Sequence, residues 1–303
     1  MKLAVNYSEA AAALYRRGQI DVDYFKCPAW PALVDQVRAE LPTIVHFPLV
    51  AGAPGDDAYD SEIRQSADWN KVERMLATTA TRHVNLHLAP EAAWFPAIPV
   101  HSVAAADVEH VCERMVRTVE AVVRRFGPER VIVENDYGGT SATPQAACLP
   151  ETIARVVAET GCGLLLDLSH ARLAARNLGT DAQTYMRSLP VHRLEEIHIT
   201  GVRRFSGHWL AATRRAAAGD PFIERYAGEW LDHLPMTTAD WRFLRWATGE
   251  WRRGAWRMPW VETFEYGGVS AFFLSVTDER FLAEQVPRLR ALALNGQTGA
   301  DER

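Results

Sequence analysis

Nine side chains of metal-binding type recur at the ends of short apolar runs. His46 ends TIVHFP (43–48) and His87 lies late in HVNLHL (83–88). Glu134 sits late in VIVEND (131–136), and Asp167 closes GLLLDL (163–168), with His170 three residues on. His198 lies late in EEIHIT (195–200), Asp232 and His233 follow in a long connection, and Glu262 lies in WVETFEY (260–266). Buried singly, such charges would be costly. Metal ions resolve that cost, because imidazoles and carboxylates are their ligands. One ion takes roughly four to six ligands. Nine candidates therefore predict two or three ions with a bridging carboxylate. A sulfur-free His/Asp/Glu set suits iron, manganese or zinc, and geometry decides among them.

Each residue also has a plainer explanation. A strand-end histidine can be a satisfied core side chain. Glu134 and Asp167 could pair with arginines, and WLDHLPM could be a capped turn before a helix. The joint pattern favours ligation, since six successive strand ends or loops present a ligand type. His83 opens its strand, and His101, His110, His192 and His208 lack strand-end context, so all five are left out.

Eight strands are needed to position these groups. KLAVNY (2–7) and VDYFK (22–26) complete the set. Several runs are continuously apolar, as strands covered on both faces should be. Helical stretches separate them, among them VEHVCERMVRTVEAVVRRFG, stopped by Gly127 and Pro128, and PETIARVVAETG, stopped by Gly161. The expected fold is α/β, a single (β/α)8 TIM barrel, with a doubly wound open sheet as competitor. In a barrel the carboxyl ends of all strands meet at one face. The nine residues should therefore form one cluster. The Arg- and Trp-rich segment 201–258 is expected as an elaborated loop or helical cap between strands 7 and 8. It would either bind a carboxylate through arginine or simply form a solvated cap. The domain is placed at 1–290, with a C-terminal tail at 291–303.

Composition narrows the function. The chain has 303 residues, 48% of them apolar, enough for a core without disulfides. Its formal charge of −5 disfavours nucleic acid as a partner. Its four cysteines form no CxxC pair, which argues for buried thiols in a reducing cytoplasm. No apolar run approaches the roughly 20 residues of a membrane span, and no signal peptide is evident.

At these residues the sequence resembles the multinuclear non-heme iron-dependent oxidative enzymes (MNIO), formerly domain of unknown function 692, in the xylose isomerase-like barrel superfamily. The matching segments are VHFPLVAG, NLHLAP, VIVENDYGG, GCGLLLDLSHARLAARNLG, EEIHITG, LDHLPMT and PWVETFEYGG. One departure is that Asp232 and His233 are adjacent, where the family more often spaces the pair by one residue. The resemblance implies an oxidoreductase with two or three iron ions, mixed Fe(II)/Fe(III), and dioxygen as co-substrate. It implies modification of cysteine in a ribosomally made precursor peptide, giving oxazolone–thioamide groups or excising the β-carbon of a C-terminal cysteine. It also implies a separate protein that recognises the precursor's leader. Rival classes remain. Endonuclease IV-like tri-zinc phosphodiesterases share almost the same ligand order, although ITGVRR here lacks their Asn-Asp continuation. Sugar isomerases of this superfamily normally have fewer ligands and a catalytic lysine, for which Lys26 is the lysine near a strand end. A non-catalytic binding barrel would have every metal fully ligated by protein.

Overall fold

The computed structural model describes residues 1–138 and 142–295, so Gly139 of the VIVENDYGG segment lies outside the described residues. Eight parallel strands form the body: β1 (Lys2–Asn6), β2 (Tyr24–Pro28), β3 (Thr43–His46), β4 (Val84–His87), β5 (Val131–Glu134), β6 (Gly163–Asp167), β7 (Leu194–Ile199) and β8 (Val261–Phe264). They are ordered β3-β2-β1-β8-β7-β6-β5-β4. The β3–β4 seam is bridged differently. The Asn85 side chain accepts from Phe47 N at 2.8 Å and donates to Phe47 O at 3.0 Å. Beyond Pro48 the same chain forms a short strand, Leu49–Val50, that pairs in parallel with β4 at His87.

Side chains alternate across each strand, and the alternation sorts the residues into two sets. One set, including Leu3, Val5, Phe25, Val45, Leu86 and Val133, packs with the surrounding helices into the main core. The opposite parity faces the barrel interior, where Ala4, Ile44 and Val261 make a small apolar layer. The helices are held by the same apolar matching. In Ala105–Phe126, Val111, Met115, Val119 and Val122 lie on one buried stripe. Each such side chain contributes about 1.5–3 kcal/mol on burial. That helix ends at Gly127, whose φ of 86° suits glycine.

Segment 201–258 is an elaborated cap, as expected. An antiparallel pair, Gly201–Arg204 with Trp230–Leu234, encloses the helices Gly207–Ala216 and Pro221–Tyr226. The cap has its own apolar cluster of Phe205, Ile223, Leu231, Leu234, Phe272 and Val276. A Cβ on Gly201 would lie 2.0 Å from Pro235 O, so only glycine lets the two strands meet directly after β7. The final helix runs from Glu279 through Asn295, past the expected tail boundary at 291, and Ala293 is buried on it. Residues 296–303 of the expected tail lie outside the described residues. No described helix is long and apolar enough to cross a membrane. All four cysteines are buried and free.

Candidate metal centre

The inward parity places one polar side chain at or just past the carboxyl end of every barrel strand. In spatial order these are Asn6, Lys26, His46, His87, Glu134, Asp167, His198 and Glu265. Strand period, and not sequence proximity, gathers them.

Glu134 is the hub. Its Oε2 lies 3.4 Å from His46 Nε2 and 3.3 Å from His87 Nδ1, and its Oε1 lies 3.5 Å from His198 Nδ1 and 3.6 Å from His170 Nδ1. His46 Nε2 and His87 Nε2 are 3.0 Å apart. The two carboxylate oxygens thus face different imidazoles, the arrangement needed to share one carboxylate between two ions.

Asp167 serves two masters. It is the N-cap of the helix Leu168–Asn177, and its Oδ1 accepts from Ser169 N at 2.6 Å and His170 N at 2.8 Å. The cap fixes the carboxylate and leaves Oδ2 aimed at the cluster, 3.9 Å from His170 Nε2. Asn135 locks the neighbouring strand to it, with Asp167 N donating to Asn135 Oδ1 at 2.9 Å and Asn135 Nδ2 donating to Asp167 O at 3.1 Å. The backbone O of Asn135 lies 2.9 Å from His170 Nδ1, which orients that ring so that Nε2 points at Asp232 Oδ2, 3.0 Å away.

Asp232 and His233 lie in the cap strand Trp230–Leu234. The capped turn expected there as the plainer explanation occurs a few residues later, where Thr237 and Asp240 form a capping box. Adjacent strand residues normally face opposite sides. His233 escapes that rule by adopting φ 59°, in the left-handed region. Its N–H donates to Thr200 Oγ1 at 2.9 Å, its Nδ1 lies 3.0 Å from Glu265 O, and its Nε2 comes within 3.3 Å of Asp232 Oδ2. Backbone strain at this point brings two consecutive side chains to one place.

Glu262 requires a correction. Its parity on β8 is that of Phe264, so it faces the helix layer, beside Leu3 of β1 in register, and is fully buried there with both carboxylate oxygens unpartnered. Burial pushes its carboxyl up to about 8. Glu265, of the opposite parity, joins the cluster with Oε1 3.2 Å from His198 Nδ1. WVETFEY holds two glutamates, and applying the two-residue period to it singles out Glu265. Lys26 was also undervalued. It is buried against Glu265, and its Nζ lies 2.8 Å from His198 Nε2.

Three sets of ligand atoms lie close enough to share an ion: His46, Glu134 and His198; His170, Asp232 and His233; and Glu134, Asp167, His198 and Glu265. The residues fit such ions on chemical grounds. Glu134 Oε2 and Asp167 Oδ2 are buried without a hydrogen-bond partner and Asp232 Oδ2 meets only imidazoles, which a protein tolerates where a cation completes the shell. Burial holds His46 and His198 well below the usual histidine range and His87 down to about 4, so their ring lone pairs are free to ligate. Burial opposes protonation of His170 as well, but Asp167, Asp232 and Glu134 outweigh it and hold this ring well above the usual range.

A cavity of about 320 Å³ opens over the cluster, lined by Trp30, Pro48, Val269 and Phe273 above and by the cluster below. A second, of about 400 Å³, lies against Asp136, Tyr137, Leu231 and Asp232. Phe273 and His233 border both, with ring centroids 5.1 Å apart. Three of the cap arginines are engaged elsewhere. Arg203 and Arg204 donate to Pro235 O and Gly228 O, and Arg214 pairs with Glu224. Arg176 lies over Trp230. Arg203, Arg204 and Arg214 are therefore not free to clamp a carboxylate.

Fold and site together define a TIM barrel whose mouth gathers groups able to hold metal. The chain belongs to the RiPP precursor modification enzyme family MbnB/TglH/ChrH, whose model matches residues 32–226. That span holds His46, His87, Glu134, Asp167, His170 and His198, and ends before Asp232, His233 and Glu265. Among relatives, a UPF0276 protein of Paraburkholderia phytofirmans is 35% identical over 96 residues, 32% of this chain and 30% of that protein. Another, from Acaryochloris marina, is 26% identical over 183 residues, 59% of this chain and 62% of that protein. The chain thus spans about a third of the length of the first relatives and under two thirds of the longer match. A xylose isomerase domain containing protein from Salmonella typhimurium shares the fold, with a TM-score of 0.51 at 12% identity over 97% of both chains.

Proposed function

We propose that this protein is a multinuclear non-heme iron oxidoreductase that uses dioxygen to modify cysteine in a ribosomally synthesised precursor peptide. The observation that carries the reading is the convergence of three buried carboxylates, Glu134, Asp167 and Asp232, with five histidines, in a chain of the RiPP precursor modification family.

His46, His87, Glu134, Asp167, His170, His198, Asp232, His233 and Glu265 are the residues proposed to hold two or three ions. Iron bound there supplies electrons to dioxygen and a Lewis acid for a substrate thiol. The chain supplies the rest. Asn135 and the Glu265 carbonyl fix the His170 and His233 rings. Trp30, Val269 and Phe273 give the cavity apolar walls that exclude water around a bound side chain. A cavity of about 320 Å³ accommodates one or two residues of a peptide, consistent with action at one cysteine at a time. The leader of that precursor is proposed to be read by a separate protein partner.

The test is to incubate anaerobically iron-loaded protein with a cysteine-bearing precursor peptide and its partner, then admit air and record the peptide mass. A mass change confined to the cysteine residue, requiring both iron and air, is expected. Activity restored by zinc and not by ferrous iron under air would reject the oxidative reading.

A further inference from the structure

We infer that Lys26 is an internal counter-cation that competes with a metal ion for the carboxylate-rich part of the centre, so that the position formed by Glu134, Asp167, His198 and Glu265 is the weakest of the metal positions. The inference rests on the metal reading above and not on the choice of substrate.

The argument begins with charge. Three carboxylates meet within one group of ligand atoms, and all are buried. Three uncompensated buried carboxylates would be severely destabilising. Lys26 rises from β2 into this group, 4% exposed, and forms a direct ion pair with Glu265. Its Nζ also lies 2.8 Å from His198 Nε2 and 3.3 Å from His198 Nδ1. It therefore engages both the carboxylate and the imidazole that a metal would need. The other two groups of ligand atoms differ. Among the described residues, His170, Asp232 and His233 have no lysine or arginine within ion-pair distance, and the group of His46, Glu134 and His198 meets Lys26 through His198 alone, without the Glu265 ion pair.

A divalent ion and an ammonium repel strongly at such separations in a buried setting. An ion held by Glu265 and His198 must displace the lysine. Lys26 has somewhere to go, because it borders the mouth cavity of about 320 Å³. The arrangement keeps the apoprotein folded, and its consequence is a metal position that fills last.

The experiment is equilibrium dialysis of full-length protein against graded ferrous iron under anaerobic conditions, comparing wild type, Lys26→Met and Lys26→Arg. The concentration that half-fills the last position should fall by about ten- to a hundredfold in Lys26→Met, the usual span for groups that tune a metal site from outside its ligands. Lys26→Arg keeps the charge and should behave like wild type. Equal or weaker iron binding by Lys26→Met overturns the inference and leaves the lysine a structural role. Should Lys26→Met be recoverable only from iron-supplemented cultures, iron retained after dialysis is compared with Lys26→Arg from the same cultures. More retained iron supports the proposal, and equal or less overturns it. A wild type that binds no iron sinks the metal reading itself, which separates the two failures.

Discussion

His170 Nε2 lies 3.0 Å from Asp232 Oδ2, joining the first turn of the helix after β6 to the cap strand that follows β7. The barrel and its cap therefore meet at the centre of the site through this contact and through His233, which bonds Thr200 and the Glu265 carbonyl. Removing Asp232 leaves His170 facing Asp167 and Glu134 alone.

Asp232→Ala should release the ion shared with His170 and His233 while leaving the Glu134 positions filled. Metal analysis of the purified variant should show about one ion fewer per chain than wild type, as expected for loss of one carboxylate ligand. Full retention of metal would place Asp232 outside the centre.

Glu265 and Glu262 should behave oppositely. Glu265→Ala should lower metal content and peptide modification together, because its carboxylate meets His198 in the cluster. Glu262→Gln should retain both, since Glu262 faces the helices. Side-by-side iron content and product yield of the two variants check this. Loss of iron in Glu262→Gln would show that β8 presents its other face to the site.

Glu262 also predicts a pH dependence of stability. Its folded carboxyl sits at about 8 against an ordinary value of 4.5, because burial disfavours the charged form. The folded state therefore holds a proton that the unfolded chain releases, and stability falls as pH rises from about 4.5 to 8. At pH 7 the penalty is roughly 3 kcal/mol. Glu262→Gln removes it. Denaturant unfolding should find this variant close to wild type near pH 4 and more stable above pH 7. A difference that is flat with pH would contradict the assignment.

The cap should depend on Asp240. This carboxylate closes the capping box at Thr237, pairs with Arg172 on the helix after β6, and accepts from Val202 N at 3.2 Å. Asp240→Ala leaves Arg172 unpaired and should cost about 3–5 kcal/mol. A loss below about 1 kcal/mol, within the range of an isolated cap, would mean that the ion pair contributes little.

The eight strands were legible because each is a short apolar run with β-type residues, bounded by turn signals, and His46, His87, Glu134, Asp167 and His198 fall where those runs end. The assignment failed at Glu262 for a definite reason. Position near a strand end selects a region, but the two-residue period selects the face, and WVETFEY carries a glutamate on each. Lys26 passed as a lone lysine because its partners, Glu265 and His198, come from strands far away in sequence. The conformation of His233 was hidden as well. A left-handed histidine inside a strand carries no local signal, and it becomes intelligible only once Thr200 and Glu265 are seen to hold it.

The central claim is that Glu134 joins separate ions into one centre, and iron content per chain tests it most directly. Protein purified anaerobically and reconstituted with ferrous iron should hold at least two ions per chain. Glu134→Ala should fall further than His233→Ala, because the glutamate spans His46 and His87 on one oxygen and His170 and His198 on the other. A wild type that binds one ion or none, or a Glu134→Ala variant that keeps its full complement, would contradict the account.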